Sequence, residues 1–209
     1  AAAWARFSIP PGCAANGEDV RVVNASGAEV KSETLFFQPP VYGVVAFDLG
    51  SASPEYWLYL GNPQAAAPRE SWIAKAGLFL ATYELGKGDA NSVEQMRELL
   101  KNSPRGFGAG FRSNIFDGFN PFGSPDGFLS VYRGWLDIRR AGAYRFATVS
   151  DDASFLSIDG KPVCQWPGIH TAQGGVRGQR SGSVALQPGL HRIDYWHRDI
   201  EGPSVAEAA

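Results

Sequence analysis

Two adjacent aspartates, Asp151 and Asp152, are the residues of this 209-residue chain whose type and spacing best suit chemistry. Two carboxylates held side by side repel each other unless a cation lies between them, and hard cations prefer oxygen ligands. The adjacent pair is also closer than the roughly 5–9 Å that separates the two acids of a glycosidase. The alternative interpretation is that the pair ends a strand and caps loop amides.

No pattern in the sequence predicts a catalytic residue. We find no nucleophile elbow, no metalloprotease helix and no Cys–His arrangement in a suitable context. His191 and His197 fall on one face of a predicted strand, but six residues span about 20 Å, too far to share one metal ion. We therefore expect a binding or structural protein and not an enzyme.

The segment "QWPGIH" offers an aromatic pair for a ligand. Trp166 and His170 lie just beyond a predicted hairpin, where both rings could stack on a ligand ring. The alternative is that Trp166 anchors its own loop. Both readings stay open from sequence alone.

Composition narrows the class of protein. A formal charge of −2, with scattered basic residues, provides no field for nucleic acid. No apolar run approaches the roughly 20 residues that cross a bilayer, so this segment is not expected to insert into a membrane. The 25 Gly and 14 Pro favour short strands and tight turns. We expect Cys13 and Cys164 to be free, with Cys164 buried in a strand.

The first 65 residues predict a small β module. Strands are expected at residues 3–9, 19–24, 41–48 and 55–61, the last of them central because both of its faces are apolar. "DVRVVNASGAEV" followed by "YWLYLGNPQA" resembles a small bacterial β-sandwich domain of unknown function, which implies an envelope or surface setting. Residues 66–75 are predicted to be a linker.

A helix and a loop are predicted next. Asn91 is expected to cap the helix, Val93, Met96 and Leu99 give it an apolar stripe, and Pro104 prevents its continuation. The following Gly- and Phe-rich segment, "GFGAGFRSNIFDGFNPFGSPDGF", is predicted to be an ordered loop.

The turns after residue 128 identify antiparallel pairs. Asp159-Gly160 predicts a two-residue hairpin between apolar strands. The motifs "Y-x-G-W-L", "A-G-x-Y-x-F", "S-D-D-A-S-x-L-x-I-D-G-K-P-V" and "S-G-S-V-x-L-x-P-G-L-H-x-I-x-Y" resemble the PA-fourteen (protective-antigen-like) family, a β-sandwich domain. "AGLFLATYELG" is similar to the family's opening strand, so the domain is expected to span residues 76–209. The family's final apolar strand has no clear match in "SVAEAA", so we expect the chain to be part of a longer protein.

The PA-fourteen resemblance implies a site at the aspartate pair. In the family's sugar-binding branch such a pair is joined by a cis peptide and holds calcium, which also takes sugar hydroxyls. The relatives place an oxygen ligand at about the position of His197, which is a poor calcium ligand, so Asp199 or Glu201 would have to substitute. The resemblance therefore implies calcium at Asp151, Asp152, Asp199 and Glu201, with ligand contacts from Trp166, His170 and His197.

Two functions follow from the sequence. The first is a carbohydrate-binding or adhesion module, assisted by calcium and located outside the cytoplasm. The second is a structural spacer or protein-docking module of an envelope assembly. The fold class predicted in both cases is all-β, an antiparallel sandwich with one inserted helix.

Overall fold

The chain forms two compact units, Ala1–Ala76 and Gly77–Ala209. The computed structural model describes residues 1–50, 53–66, 72–75 and 77–209. Residues 67–71 of the predicted linker lie outside the described residues. Both units consist mainly of antiparallel strands, so the predicted all-β class is confirmed.

The first unit contains two three-stranded antiparallel sheets that share one core. One sheet has the order β1-β5-β4 and the other β3-β2-β6. Val22 of the second sheet and Val45 and Phe47 of the first are buried in the same cluster. The strands are β1 (Ala2–Phe7), β2 (Arg21–Asn24), β3 (Glu29–Val30), β4 (Ser32–Gln38), β5 (Tyr42–Asp48) and β6 (Tyr56–Tyr59).

The prediction of a central strand at residues 55–61 is wrong. Among the described residues, β6 pairs only with β2 and forms an edge of its sheet. Trp57 and Tyr59 are 43% and 58% exposed, so the second apolar face does not pack against a layer of the unit. Strand β4 was not predicted, because its polar and aromatic residues do not alternate regularly.

The second unit is a β-sandwich with one helix. A six-stranded sheet of order β13-β12-β15-β10-β7-β8 faces a four-stranded sheet of order β14-β11-β16-β9. The elements are β7 (Leu78–Glu84), α1 (Val93–Lys101), β8 (Gly106–Arg112), β9 (Ile115–Asp117), β10 (Phe128–Ile138), β11 (Gly142–Asp151), β12 (Ser154–Ile158), β13 (Lys161–Trp166), a 3₁₀ turn (Ala172–Gly174), β14 (Ser181–Leu186), β15 (Gly189–Asp199) and β16 (Val205–Ala208).

The large sheet is covered on both faces. Its inner face contributes Leu80, Tyr132 and Tyr195 to a core that also contains Ile115 and Ala206 of the small sheet. Its outer face packs against α1 through the predicted stripe, in a cluster of Val93, Met96, Leu99, Val131, Phe155 and Trp196. In β10 the residues Phe128–Tyr132 are buried on both faces of the sheet, whereas Arg133 and Asp137 are exposed.

The helix cap differs from the prediction. The N-cap is Ser92 and not Asn91, because the Ser92 side chain accepts a hydrogen bond from the Gln95 backbone N–H. Asn91 instead donates its own backbone N–H to the Gln95 side chain, at 2.7 Å. Both residues are good caps, and the sequence alone did not separate them.

Two other predictions are corrected by the strand pairing. The Gly- and Phe-rich segment is not a loop throughout, since β8 pairs with β7 along the edge of the large sheet and β9 pairs with β16. The final strand also exists: Val205–Ala208 forms β16, which pairs with β11. Small side chains suffice there, because Ala206 lies in the core between the sheets.

Two local predictions are confirmed. Asp159 and Gly160 have positive φ values of 50° and 75°, as a two-residue hairpin requires. Cys164 is buried in β13, and both cysteines are free. Within the described part of the chain, no helix is long and apolar enough to span a membrane.

Candidate functional site

The aspartate pair lies where the chain passes from one sheet to the other. Asp151 ends β11 in the small sheet, and β12 of the large sheet begins at Ser154. The connection from β15 to β16 makes the reverse passage at the same end of the sandwich, because β11 pairs with β16 and β12 pairs with β15. The register therefore brings residues 151–153 beside residues 199–204. We call this region the aspartate corner.

Asp152 holds two loops together. Its carboxylate is 4% exposed and accepts backbone N–H groups from His170, at 3.0 Å, and from Ile200, at 3.1 Å. Its own N–H donates to the Arg198 carbonyl at 3.0 Å. Both carboxylate oxygens thus have a donor, which is the capping role that the sequence analysis kept as an alternative. One lone pair on each oxygen remains for a further partner.

Asp151 is half-buried, and its peptide bond to Asp152 is cis, as the resemblance implied. Burial and the neighbouring Asp152 raise the pKa of the Asp151 carboxyl, against smaller lowering effects of the Ala172 backbone N–H and His170. The Asp151 carbonyl accepts a hydrogen bond from His197 Nε2 at 2.7 Å. The Asp151 carboxylate therefore lies at the corner, while the buried His197 holds its main-chain carbonyl in place.

His197 supports the corner from inside the sandwich. The ring is fully buried, and burial lowers its pKa to about 4, so it is neutral at pH 7. Because Nε2 donates to the Asp151 carbonyl, Nδ1 carries no proton, and this buried atom has no hydrogen-bond partner. The structure thus places the predicted ligand contact His197 beneath the site and not at its surface.

Asp199 is the unusual group of the site. Its side chain is 1% exposed, yet neither carboxylate oxygen has a hydrogen-bond partner. Its pKa is raised to about 7, chiefly by burial, and the charges of Asp152, Asp126 and Asp151 contribute to this rise. Ser204 is close enough to lower this pKa, but its Oγ also lacks hydrogen-bonding geometry. A buried carboxylate without donors is costly unless it is protonated or binds a cation.

A fourth carboxylate, which the sequence analysis missed, borders the corner. Asp126 is exposed and accepts the Gly202 N–H at 2.9 Å, while the Gly127 N–H donates to the Ile200 carbonyl at 2.9 Å. These bonds tie the loop before β10 to the loop after β15. Glu201 lies exposed on the latter loop. Only the turn-forming "SPDG" sequence could have drawn attention to Asp126.

The aromatic pair stacks on itself. The rings of Trp166 and His170 are 3.7 Å apart and within 8° of parallel. The Arg180 guanidinium lies 4.8 Å from the indole centroid, and a Cβ at Gly175 would come within 2.5 Å of the same ring. Trp166 is 5% exposed, so the structure favours loop anchoring over ligand stacking for this residue. His170 stays half-buried beside Asp152.

Buried hydroxyls connect the corner to the core. Thr148 Oγ1 lies 2.9 Å from Ser154 Oγ and 3.0 Å from the Tyr195 hydroxyl, and Ser150 Oγ lies 2.7 Å from Ser154 Oγ. Members come from β11 in one sheet and from β12 and β15 in the other. A satisfied network of this kind fixes the relative position of the strands that carry the aspartates.

The possible metal ligands at the corner suit calcium. They are hard oxygen atoms, and the two unpartnered oxygens of Asp199 match the chemistry that calcium requires. Among the described residues, no three His, Cys, Asp or Glu side chains are already arranged as a metal site. Calcium also accepts backbone carbonyls and water, so carboxylates alone need not complete its coordination.

The fold resembles solved PA-fourteen domains. The PA14 domain of the MpAFP antifreeze protein matches with 17% identity and a TM-score of 0.51, over 68% of this chain and 84% of that one. A PA14 sugar-binding domain from an RTX adhesin matches with 20% identity and a TM-score of 0.48, over 64% of this chain and 87% of that one.

A third match comes from Candida glabrata. The epithelial adhesin 9 A domain, solved in complex with Galb1-3GlcNAc, matches with 15% identity and a TM-score of 0.47, over 64% of this chain and 80% of that one. No family model matches the sequence, and no curated protein matches it. The chain therefore contains a PA-fourteen-like β-sandwich fold, as the match to the antifreeze-protein domain shows.

Proposed function

We propose that the second unit is a carbohydrate-binding module that uses calcium at the aspartate corner. The observation that carries this proposal is Asp199, whose buried carboxylate has no donor and lies among three other carboxylates. A bound cation would offset both the burial and the mutual repulsion of these groups. Asp151, Asp152 and Asp199 would hold the ion, and the exposed Glu201 is a further candidate ligand.

Calcium would supply open coordination positions. It takes six to eight oxygen ligands, so a site built from a few carboxylates leaves positions for the vicinal hydroxyls of a sugar. Asp151 is only half-buried, which keeps one side of the corner accessible. The chain itself would position the ion, through the His197 bond to the Asp151 carbonyl and the amides that hold Asp152.

We infer an extracytoplasmic location from the same chemistry. Extracellular calcium modules bind with dissociation constants of about 10⁻⁴–10⁻³ M, whereas cytosolic sites must be far tighter. A corner whose carboxylates are not fully assembled suits the weaker class. A glycan or an envelope protein is the corresponding partner.

A structural role is the second candidate. It is favoured by Asp152, because both of its oxygens already accept backbone amides and tie the loops at His170 and Ile200. In that case the corner would stabilise a spacer or a protein-docking module without any ion.

Calcium titration distinguishes the two candidates. Isothermal calorimetry and thermal unfolding would be measured for the wild type, Asp151→Asn and the matched control Asp137→Asn, each with calcium and with chelator. Asp151 is chosen because its replacement leaves intact the two hydrogen bonds that the Asp152 carboxylate accepts from backbone N–H groups. Asp137 is an exposed carboxylate at the far end of β10, paired with Arg139.

The outcomes are distinct. For a calcium module, the wild type and Asp137→Asn should melt at a higher temperature in calcium, since an ion that binds only the folded state stabilises it. Asp151→Asn should lose most of this response, together with calcium-dependent binding to a glycan array. Identical melting of the wild type in calcium and in chelator would leave only the structural role.

A further inference from the structure

An arginine-lined groove lies on the outer face of the large sheet, away from the aspartate corner. It has a volume of about 320 Å³. Its lining residues are Arg97, Arg133, Gly160, Arg192, Asp194 and Trp196. None of these residues belongs to the corner, so the groove is a separate feature of the second unit.

The sheet register explains why these side chains meet. Arg192, Asp194 and Trp196 alternate along β15 and therefore share one face of the sheet. Arg133 of β10 is the direct cross-strand partner of Asp194. Arg97 comes from α1, which packs on the same face through Trp196. The Asp159-Gly160 turn closes one end, and no atom lies within 4 Å of a Cβ built at Gly160.

The groove carries more positive than negative charge. Arg192 is paired with Asp194, at 3.1 Å and 3.4 Å through two nitrogens. Arg97 lies 3.9 Å from the exposed Glu94, a contact that contributes little in water. Arg133 makes no ion pair with any described residue, and its guanidinium carbon lies 5.8 Å from the Trp196 ring centroid. One free guanidinium and one loosely held one therefore face the groove.

Trp196 makes the groove more than an exposed charge cluster. The indole is 4% exposed and forms part of the apolar layer beneath α1. Arg133 itself is exposed, so an anion would bind there through the charge and the planar fork of the guanidinium, in competition with water. The planar guanidinium fork matches carboxylate and sulfate oxygens in particular.

We propose that this groove binds the carboxylate or sulfate group of an acidic saccharide, without calcium. Its volume is at the lower end of small-molecule sites. The chain has a net charge of −2, which disfavours a long polyanion such as nucleic acid. The choice of a saccharide rests on the proposed carbohydrate-binding function, whereas the anion site rests on the arginines alone.

Binding in chelator tests the groove apart from the corner. Trigalacturonate, a sulfated disaccharide, inorganic sulfate and neutral maltotriose would be titrated into the protein in chelator, by calorimetry and by NMR. Both acidic saccharides should bind and shift the Gly160 amide and the Trp196 indole signals, and binding should weaken with added NaCl. Maltotriose should not bind.

Variants locate the site. Arg133→Gln should weaken acidic-saccharide binding about tenfold, as expected for the loss of one charged hydrogen bond, and Arg133→Lys should retain part of it. Arg139→Gln removes the same charge from the exposed end of β10 and should bind like the wild type. Melting temperatures of all variants confirm that they fold.

Three results would overturn the proposal. Equal binding of trigalacturonate and maltotriose would show that the groove does not select an anion. Equal affinities of Arg133→Gln and Arg139→Gln for trigalacturonate would show that the anion does not bind at Arg133. If inorganic sulfate binds as tightly as the sulfated disaccharide, the sugar contributes nothing to binding and the groove is not a saccharide site. A protein that ignores calcium but still binds trigalacturonate would refute the calcium module while supporting the groove.

Discussion

Replacing Asp199 by Asn should stabilise the protein in chelator at pH 8. The same replacement should reduce the stabilisation that calcium provides. Asn has nearly the same size as Asp but carries no charge. The wild-type carboxylate is buried without a hydrogen-bond donor, beside Asp152, Asp126 and Asp151. The substitution therefore removes an unfavourable charge from the metal-free protein, and it would remove one ligand of the proposed calcium site.

The pKa of Asp199 sets the magnitude. It is about 7 in the folded protein, against 3.8 for an unperturbed aspartate. Between these values the unfolded chain has lost the proton and the folded chain keeps it, so stability of the metal-free wild type falls as pH rises from about 4 to 7. Each pKa unit corresponds to about 1.4 kcal/mol, so the shift of about 3 units sets an upper limit of about 4 kcal/mol on the loss by pH 8. The Asn variant should lack this loss.

Urea unfolding at pH 5 and pH 8, with calcium or chelator, measures the effect. In chelator, Asp199→Asn should gain on the wild type as pH rises, while in calcium at pH 8 the wild type should recover its stability and the variant should not. Asp137→Asn, at an exposed site, controls for the change in net charge. A variant that is equally destabilised at both pH values, in calcium and in chelator, would refute the reasoning.

Three further predictions concern single contacts. His191 donates a hydrogen bond to Asp159, and this bond raises the His191 pKa. The stability that the bond contributes should be present below about pH 6.5 and be lost as pH rises through the higher folded-state pKa, which NMR titration would measure. Cys164→Ser should cost about 1–3 kcal/mol in urea unfolding because it buries a hydroxyl, and two free thiols should titrate after denaturation. Ser92→Ala should cost about 1 kcal/mol as a lost helix cap, and an Asn91→Ala variant that costs more would contradict the assignment of the cap.

Turn chemistry made most of the second unit predictable. Asp159-Gly160 permits the positive φ values of one hairpin, and the segment that follows the turn at Gly127 forms β10, Phe128–Ile138. Such signals are local, so the sequence contains them directly. The aspartate pair was identified from the motif that resembles the PA-fourteen family, and the adjacency of the two carboxylates gave the physical reason to expect a cation.

Features that depend on distant partners were not predictable. The Gly106–Arg112 strand contains three glycines among its seven residues, which weakens its β-propensity, and it forms because β7 offers an edge for pairing. The exposure of Trp57 depends on the absence of a layer over β6 within the described first unit. The isolation of Asp199 is a property of its surroundings, since no spacing in the sequence indicates that a carboxylate will lack donors.

The position of the aspartate corner would link the proposed binding of calcium to the stability of the whole sandwich. Two of the chain passages between the sheets, β11 to β12 and β15 to β16, occur there, and the Thr148–Ser154–Tyr195 hydroxyl network joins β11, β12 and β15 in the core. An ion held by Asp152 and Asp199 would therefore bridge the β11–β12 and β15–β16 connections, which must separate when the sheets come apart. Calcium should accordingly stabilise the second unit against global unfolding and slow hydrogen exchange in β11 and β15, and not merely order a loop.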